Sequence, residues 1–131
     1  MSEAVETPYE ALGGDVAVRA LVDAFYDRMD TWDGAAPIRA MHPPDLTGSR
    51  DKLYAFLSGW LGGPQLFVEQ YGHPRLRARH LPFPIDVSAR DQWMACMRHA
   101  LEVTAVGLEL RGGIEGALAR LADHMRNRQE G

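Results

Sequence analysis

The residues best suited to chemistry lie in one run, His73–Pro74–Arg75–Leu76–Arg77–Ala78–Arg79–His80–Leu81–Pro82–Phe83–Pro84. If a turn or two of helix forms here, Leu76 and His80 share a face, and Pro82 stops the helix just beyond. One imidazole is then held at a helix end, which is how a chain offers a single ligand to a metal in a flat cofactor. Arg75, Arg77 and Arg79 alternate immediately before it. That cluster reads either as a solvated loop or as a clamp for an anionic ligand.

The other reactive side chains carry less. His73, between Gly72 and Pro74, is a turn residue; with His80 it could hold a zinc ion, but no third ligand is in view. His99 and His124 fall on the polar flanks of their helices. Cys96 is the single cysteine, so no disulfide or four-thiolate zinc site can form within the chain, and its place on an apolar helix face points to an inert thiol. Dinucleotide, phosphate-loop, zinc-hydrolase and nucleophile-elbow motifs are absent.

Composition bounds the rest. The chain has 131 residues, 46% hydrophobic and 24% charged, with a net charge of -4. That is one domain of ordinary globular make-up, expected as a single unit with its core over 8–126 and loose ends at 1–6 and 127–131. The acidic balance speaks against nucleic acid as a partner. No apolar run reaches the roughly 18 residues of a membrane span, and the acidic N-terminus lacks the order of a secretion signal, so a cytoplasmic product is expected.

The elements that must position these residues are all helical. Thr7–Pro8–Tyr9–Glu10 is a capping box with proline at the first helical position, and Gly13–Gly14 ends that helix at once. Val18, Leu21, Val22, Phe25, Tyr26 and Met29 recur at helical spacing, which predicts a helix over 16–29 with Tyr26 on its inward stripe. Residues 31–44 form an irregular connection with a helical turn at Ile38–Met41. Ser49, Leu53, Phe56, Leu57, Trp60 and Leu61 predict a second long helix over 47–61, stopped by Gly62–Gly63–Pro64. Four prolines between Gly62 and Val87 make that stretch an extended, partly helical excursion. Ser88–Ala89–Arg90–Asp91 reads as a capping box for a helix over 88–105 that carries Trp93, Met94, Cys96 and Met97. Gly112–Gly113 then separates it from a last helix over 113–126.

This ordered set resembles the truncated haemoglobins, the two-over-two globins, and within them group II. The matching features are Thr7, Tyr9 and Gly13–Gly14 in the first helix and Gly62–Gly63 before the excursion. With them go Tyr71–Gly72–His73–Pro74 leading through Arg77 and Arg79 to His80–Leu81–Pro82–Phe83, then Trp93 thirteen residues on, and Tyr26 near the end of the second helix. The likeness runs from about Thr7 to Met125.

The resemblance implies an all-α two-over-two helical sandwich around haem b, binding O2 and other diatomic ligands at ferrous iron. It makes His80 the proximal iron ligand through Nε2, with Nδ1–H donating to a backbone carbonyl. Leu76 would pack beneath the porphyrin, and Arg77, with Arg79 and Lys52, would meet the propionates. Leu53, Phe56, Leu57, Trp60, Phe67, Phe83 and Met97 would supply apolar walls. On the distal side Tyr26 and Trp93 are the expected hydrogen-bond donors, and Ser49 a small residue that leaves the entrance open.

His42 departs from the family, which usually has phenylalanine or tyrosine there. It could bond Tyr26 or the ligand, protonate near neutral pH and make the pocket pH-sensitive, or sit as a surface-loop histidine. Peroxide or nitric-oxide chemistry would need a separate reductase, since no flavin or nicotinamide motif is present. A monomer or homodimer is expected. The rival reading from another class is a haem-free helical module that binds a ligand or partner.

Overall fold

The computed structural model describes residues 6–128, and those residues form eight α-helices and one short 3-10 turn. They are α1 (Pro8–Leu12), α2 (Asp15–Thr31), α3 (Ala36–Ala40), α4 (Thr47–Trp60), α5 (Leu66–Tyr71), α6 (Leu76–His80), α7 (Val87–Val103) and α8 (Leu108–His124). Helix α2 packs on both α4 and α7, and α7 packs on α8. The pairs α2 with α4 and α7 with α8 thus share one core through the α2–α7 contact, the two-over-two arrangement. No described helix is long and apolar enough to cross a membrane.

The apolar stripes explain that packing. Val18, Leu21, Val22, Phe25 and Met29 of α2 are buried with Leu57 of α4, with Met94, Cys96, Met97 and Leu101 of α7, and with Ile114 and Leu118 of α8. Each large side chain removed from water contributes about 1.5–3 kcal/mol. The periodic spacing read from sequence places these residues on one face, and the fold buries that face.

Both glycine pairs at the start of the structure serve backbone geometry. Thr7 caps α1 by accepting from the Glu10 amide at 3.1 Å, and Gly13 and Gly14, with φ of 122° and 78°, turn the chain into α2. Tyr9 donates its backbone N–H to the Leu61 carbonyl at 2.9 Å, seating α1 on the end of α4. A Cβ at Gly63 would lie 2.4 Å from the Tyr9 ring. Only glycine fits beneath that ring.

Three sequence expectations need correction. Gly112–Gly113 does not break a helix: α8 runs from Leu108 straight through it, because a glycine in a helix interior costs only ~1 kcal/mol, which packing offsets. The break falls earlier, where Ala105 takes a left-handed φ of 58° and Gly107 stands at the N-cap. Helix α7 begins not at a Ser88 box but behind Asp86, whose Oδ1 accepts from the Ala89 amide at 2.8 Å. Ser88 instead accepts from Gln92 at 3.0 Å. Finally, Asn127, expected in a loose end, is firmly bonded, as described below; the ends at 1–5 and 129–131 lie outside the described residues.

Candidate functional site

Two short helices occupy the proline-rich excursion. Arg75 adopts a left-handed φ of 46°, and its amide donates to His73 Nδ1 at 3.1 Å. His73 is thereby committed to the turn, and no cluster of three or more metal-binding side chains occurs among the described residues, which leaves the two-histidine zinc site without support. Helix α6 follows and ends on His80.

The His80 ring is set by its own helix. Its Nδ1 lies 2.6 Å from the Leu76 carbonyl. A carbonyl only accepts, so Nδ1 carries the proton and Nε2 keeps its lone pair. That second nitrogen has no hydrogen-bond partner among the described residues, and the ring is half-buried. Leu76 is half-buried beside it, while Leu81 and Phe83 are 52% and 39% exposed. These apolar groups flank an imidazole that offers a lone pair.

Asn127 locks this segment from the far end of the chain. Its Nδ2 donates to the carbonyls of His80 at 3.1 Å and Phe83 at 2.9 Å, and its Oδ1 accepts from the Ile85 amide at 2.9 Å. Its own amide donates to the Ile85 carbonyl at 2.9 Å. Every polar group of the asparagine that faces the loop is used. Arg77 adds a second tie: Nη1 donates to the His124 carbonyl at 2.6 Å and the Arg126 carbonyl at 3.1 Å, satisfying acceptors at the end of α8.

Arg79 lies against the protein as well. Its Nε donates to the Pro74 carbonyl at 2.5 Å, and its guanidinium sits 5.2 Å from the Phe67 ring centroid. Phe67 is buried, edge-on to Phe56 at 6.3 Å and tilted against Tyr71 at 4.8 Å. Lys52 is exposed with no charged partner among the described residues. Of the apolar wall candidates, Leu57 and Met97 are fully buried in the interhelical core, whereas Leu53, Phe56 and Trp60 remain half-buried at its edge.

Tyr26, Trp93 and His42 come together around Phe25. Phe25 lies 4.9 Å from both the Tyr26 and the Trp93 ring centroids, and Tyr26 lies 5.8 Å from His42, edge to face. Tyr26 is only 6% exposed, yet its hydroxyl has no hydrogen-bond partner among the described residues. Burial pushes its phenol pKa well above the usual value, against a smaller lowering by Arg50. It remains a hydroxyl donor at any ordinary pH. Trp93 is half-buried and its Nε1–H is likewise unpartnered. Ser49, in the first turn of α4, is half-buried and makes no side-chain bond.

His42 is not a displaced surface residue. Its Nδ1 lies 2.8 Å from the Ile38 carbonyl, so Nδ1 donates and Nε2 is an acceptor. Burial lowers its pKa, the bond to Ile38 raises it in part, and Arg39 and His80 lower it further. The ring is therefore held neutral at neutral pH, which corrects the expectation of a charge there. A cleft of about 320 Å³ lined by Met29, Trp32, Arg39 and Pro44 opens beside it. A wider cleft, between Trp32 and the start of α7, touches neither His80 nor Tyr26.

One lone pair thus stands on α6, with unpartnered donors on α2 and α7. The whole arrangement matches the bacterial-like globin family over residues 7–127. The chain belongs to the truncated haemoglobins of group II. This globin is 42% identical over 130 residues to the group 2 truncated hemoglobin YjbI of Bacillus subtilis, covering 99% of this chain and 96% of that one. It superposes with a TM-score of 0.93 on the group II 2-on-2 hemoglobin of Agrobacterium tumefaciens, at 49% identity, covering 98% of this chain and 100% of that one. It superposes at 0.84 on a truncated oxygen-avid haemoglobin of Bacillus subtilis, at 43% identity, covering 92% and 99%.

Membership brings with it a haem cofactor and small diatomic ligands such as O2, which sets the haem-free module aside. The residues fit that cofactor. An imidazole with its tautomer fixed by Leu76 suits iron, and the half-buried Leu53, Phe56, Trp60 and Leu76 with the exposed Phe83 supply apolar surface that the interhelical core leaves uncovered. Sequence reasoning missed Asn127, Asp86 and the contact of Arg77 with α8. Their partners are remote in the chain or one step outside the recognised motif, so no local pattern marks them.

Proposed function

We propose that this globin holds haem b through His80 Nε2 and retains O2 and related diatomic ligands on the opposite side by donation from Tyr26 and Trp93. The observation that carries this is the Tyr26 hydroxyl: it stands on a ring packed into the core, is kept protonated, and has no hydrogen-bond partner among the described residues. That donor is free to bond an acceptor brought by a ligand, and one such hydrogen bond contributes about 0.5–1.5 kcal/mol. The haem supplies the iron at which a diatomic ligand binds, and at which oxidation and reduction can occur.

The protein's own groups set the balance. His42 Nδ1 is spent on the Ile38 carbonyl and its Nε2 is an acceptor, so His42 packs edge to face on Tyr26 and adds no donor for the ligand. Trp93 Nε1–H has no competing acceptor and donates to a ligand carrying partial negative charge. With two donors, tight binding is favoured over rapid release, in line with the relative described as oxygen-avid. Such a pocket suits peroxide or nitric-oxide detoxification in the cytoplasm, fed by a separate reductase, more than oxygen transport. Among the cationic groups, Lys52 and the unbonded edge of Arg79 are available for the propionates, while Arg77 also serves α8.

Reconstitution tests the reading. Purified protein with one equivalent of haem should show a ferrous, CO-sensitive haem spectrum and saturate at one haem per chain. Absence of stoichiometric uptake would contradict it.

A further inference from the structure

The bonds that pin the proximal segment also bring together two basic runs remote in sequence. Arg77 reaches the carbonyls of His124 and Arg126, and Asn127 reaches those of His80 and Phe83. Arg75, Arg77, Arg79, Arg126 and Arg128 thereby gather on one face, flanked by the exposed rings of His73 and His124. Five of the chain's 14 Lys and Arg residues stand there, on a protein with a net charge of -4. The rest of the surface is correspondingly acidic.

Four of these five arginines have no carboxylate partner among the described residues, as is also true of Arg28, Lys52, Arg111 and Arg120 elsewhere; what sets this face apart is the density of its charge. Arg19, Arg39, Arg50, Arg90 and Arg98 are each paired with a carboxylate. Arg77, Arg79 and Arg128 instead bond backbone carbonyls or the Asn127 amide, and the Arg75 guanidinium has no carboxylate among the described residues. Asp123, the carboxylate on the α8 run, is already shared by Arg90 and Arg126. Beside the arginines Tyr71 and Leu81 are 40% and 52% exposed. A small apolar centre ringed by fixed positive charge is the anatomy of a transient protein interface.

We propose that this face docks an acidic one-electron carrier protein. The inference rests on the reading of His80 as the haem ligand, since Arg79 and Arg77 lie one and three residues from it. With haem held by His80, the transfer would pass one electron from the reduced carrier to ferric iron, with no bond made or broken and no proton moved. A membrane is disfavoured because α6 has five residues and no amphipathic helix presents this face. Nucleic acid is disfavoured by the acidic remainder.

The probe is an acidic plant-type [2Fe–2S] ferredoxin. Its oxidised form is titrated against the haem-loaded globin by calorimetry, and reduction of the ferric globin by photoreduced ferredoxin is followed separately. Arg75→Glu and Arg128→Glu should each weaken binding and slow reduction by about tenfold at low salt, and added salt should weaken the parent to the same degree. The milder Arg75→Gln/Arg128→Gln double variant should show an intermediate loss, which guards against a folding defect. Arg111→Glu, equal in charge and at the other end of α8, should change neither. The proposal is overturned if Arg111→Glu matches Arg75→Glu, if the ferredoxin does not bind, or if phosphatidylglycerol vesicles or duplex DNA bind more tightly than the ferredoxin. A chain that takes up no haem would be recognised beforehand by its spectrum, so that failure is separate.

Discussion

Asn127 Nδ2 donates to the backbone carbonyl of His80 at 3.1 Å, tying the residue proposed to hold the haem iron to the chain beyond the last helix. The same side chain holds Phe83 and Ile85. The excursion between α5 and α7 has little regular structure of its own, so its order depends on such ties. Asn127→Ala removes the three side-chain bonds to the excursion, worth about 0.5–1.5 kcal/mol each, and the exposed one from Arg128. It should lower stability by ~2 kcal/mol in urea denaturation and speed haem loss to apomyoglobin, while leaving far-UV helicity unchanged.

Tyr26 and His42 should respond differently. Tyr26→Phe removes a donor to the ligand and should raise the O2 dissociation rate about tenfold, the kinetic equivalent of ~1.4 kcal/mol for one hydrogen bond. His42→Phe keeps the ring packed on Tyr26 and removes no donor, so it should leave dissociation close to that of the parent. Stopped-flow ligand replacement measures both, and equal rates in the three proteins would mean that the ligand lies elsewhere.

Glycines of equal sequence prominence should differ in sign. Gly63→Ala drives a methyl to 2.4 Å from the Tyr9 ring and should cost about 1–3 kcal/mol. Gly112→Ala meets nothing within 4 Å inside α8 and should stabilise by about 0.5–1 kcal/mol. Thermal unfolding of the two variants decides.

Alkaline pH should weaken the fold through two buried acids. Burial pushes the Cys96 thiol from 9.0 up to about 11, with Arg28 opposing, and it raises the Tyr26 phenol from 10.0. Both groups are neutral below the unfolded pKa values, where their full contribution is present. As pH rises past 9 the unfolded chain releases these protons first, so stability falls between about pH 9 and 11. Cys96→Ala/Tyr26→Phe should show a shallower fall over that window, and Cys96 in the parent should resist iodoacetamide at pH 8.

The periodic helices were legible because apolar spacing and burial are the same fact seen twice: Val18 through Met29 on α2 is both a pattern and a core. His80 was legible from Leu76 and Pro82, which define the helix end. The Gly112–Gly113 pair misled because glycine permits a break without requiring one. Asn127 and the contacts of Arg77 with α8 could not be read, since their partners lie 42 to 49 residues away. The proton position on His42 also depends on tertiary placement, through the carbonyl of Ile38 and the burial around the ring.

The most direct test is the iron–histidine stretching vibration of the ferrous protein, recorded for the parent and for His80→Gly with and without added imidazole. The band should be present in the parent, absent in His80→Gly, and restored by imidazole entering the vacated space. An unchanged band in His80→Gly without imidazole would show that another residue holds the iron.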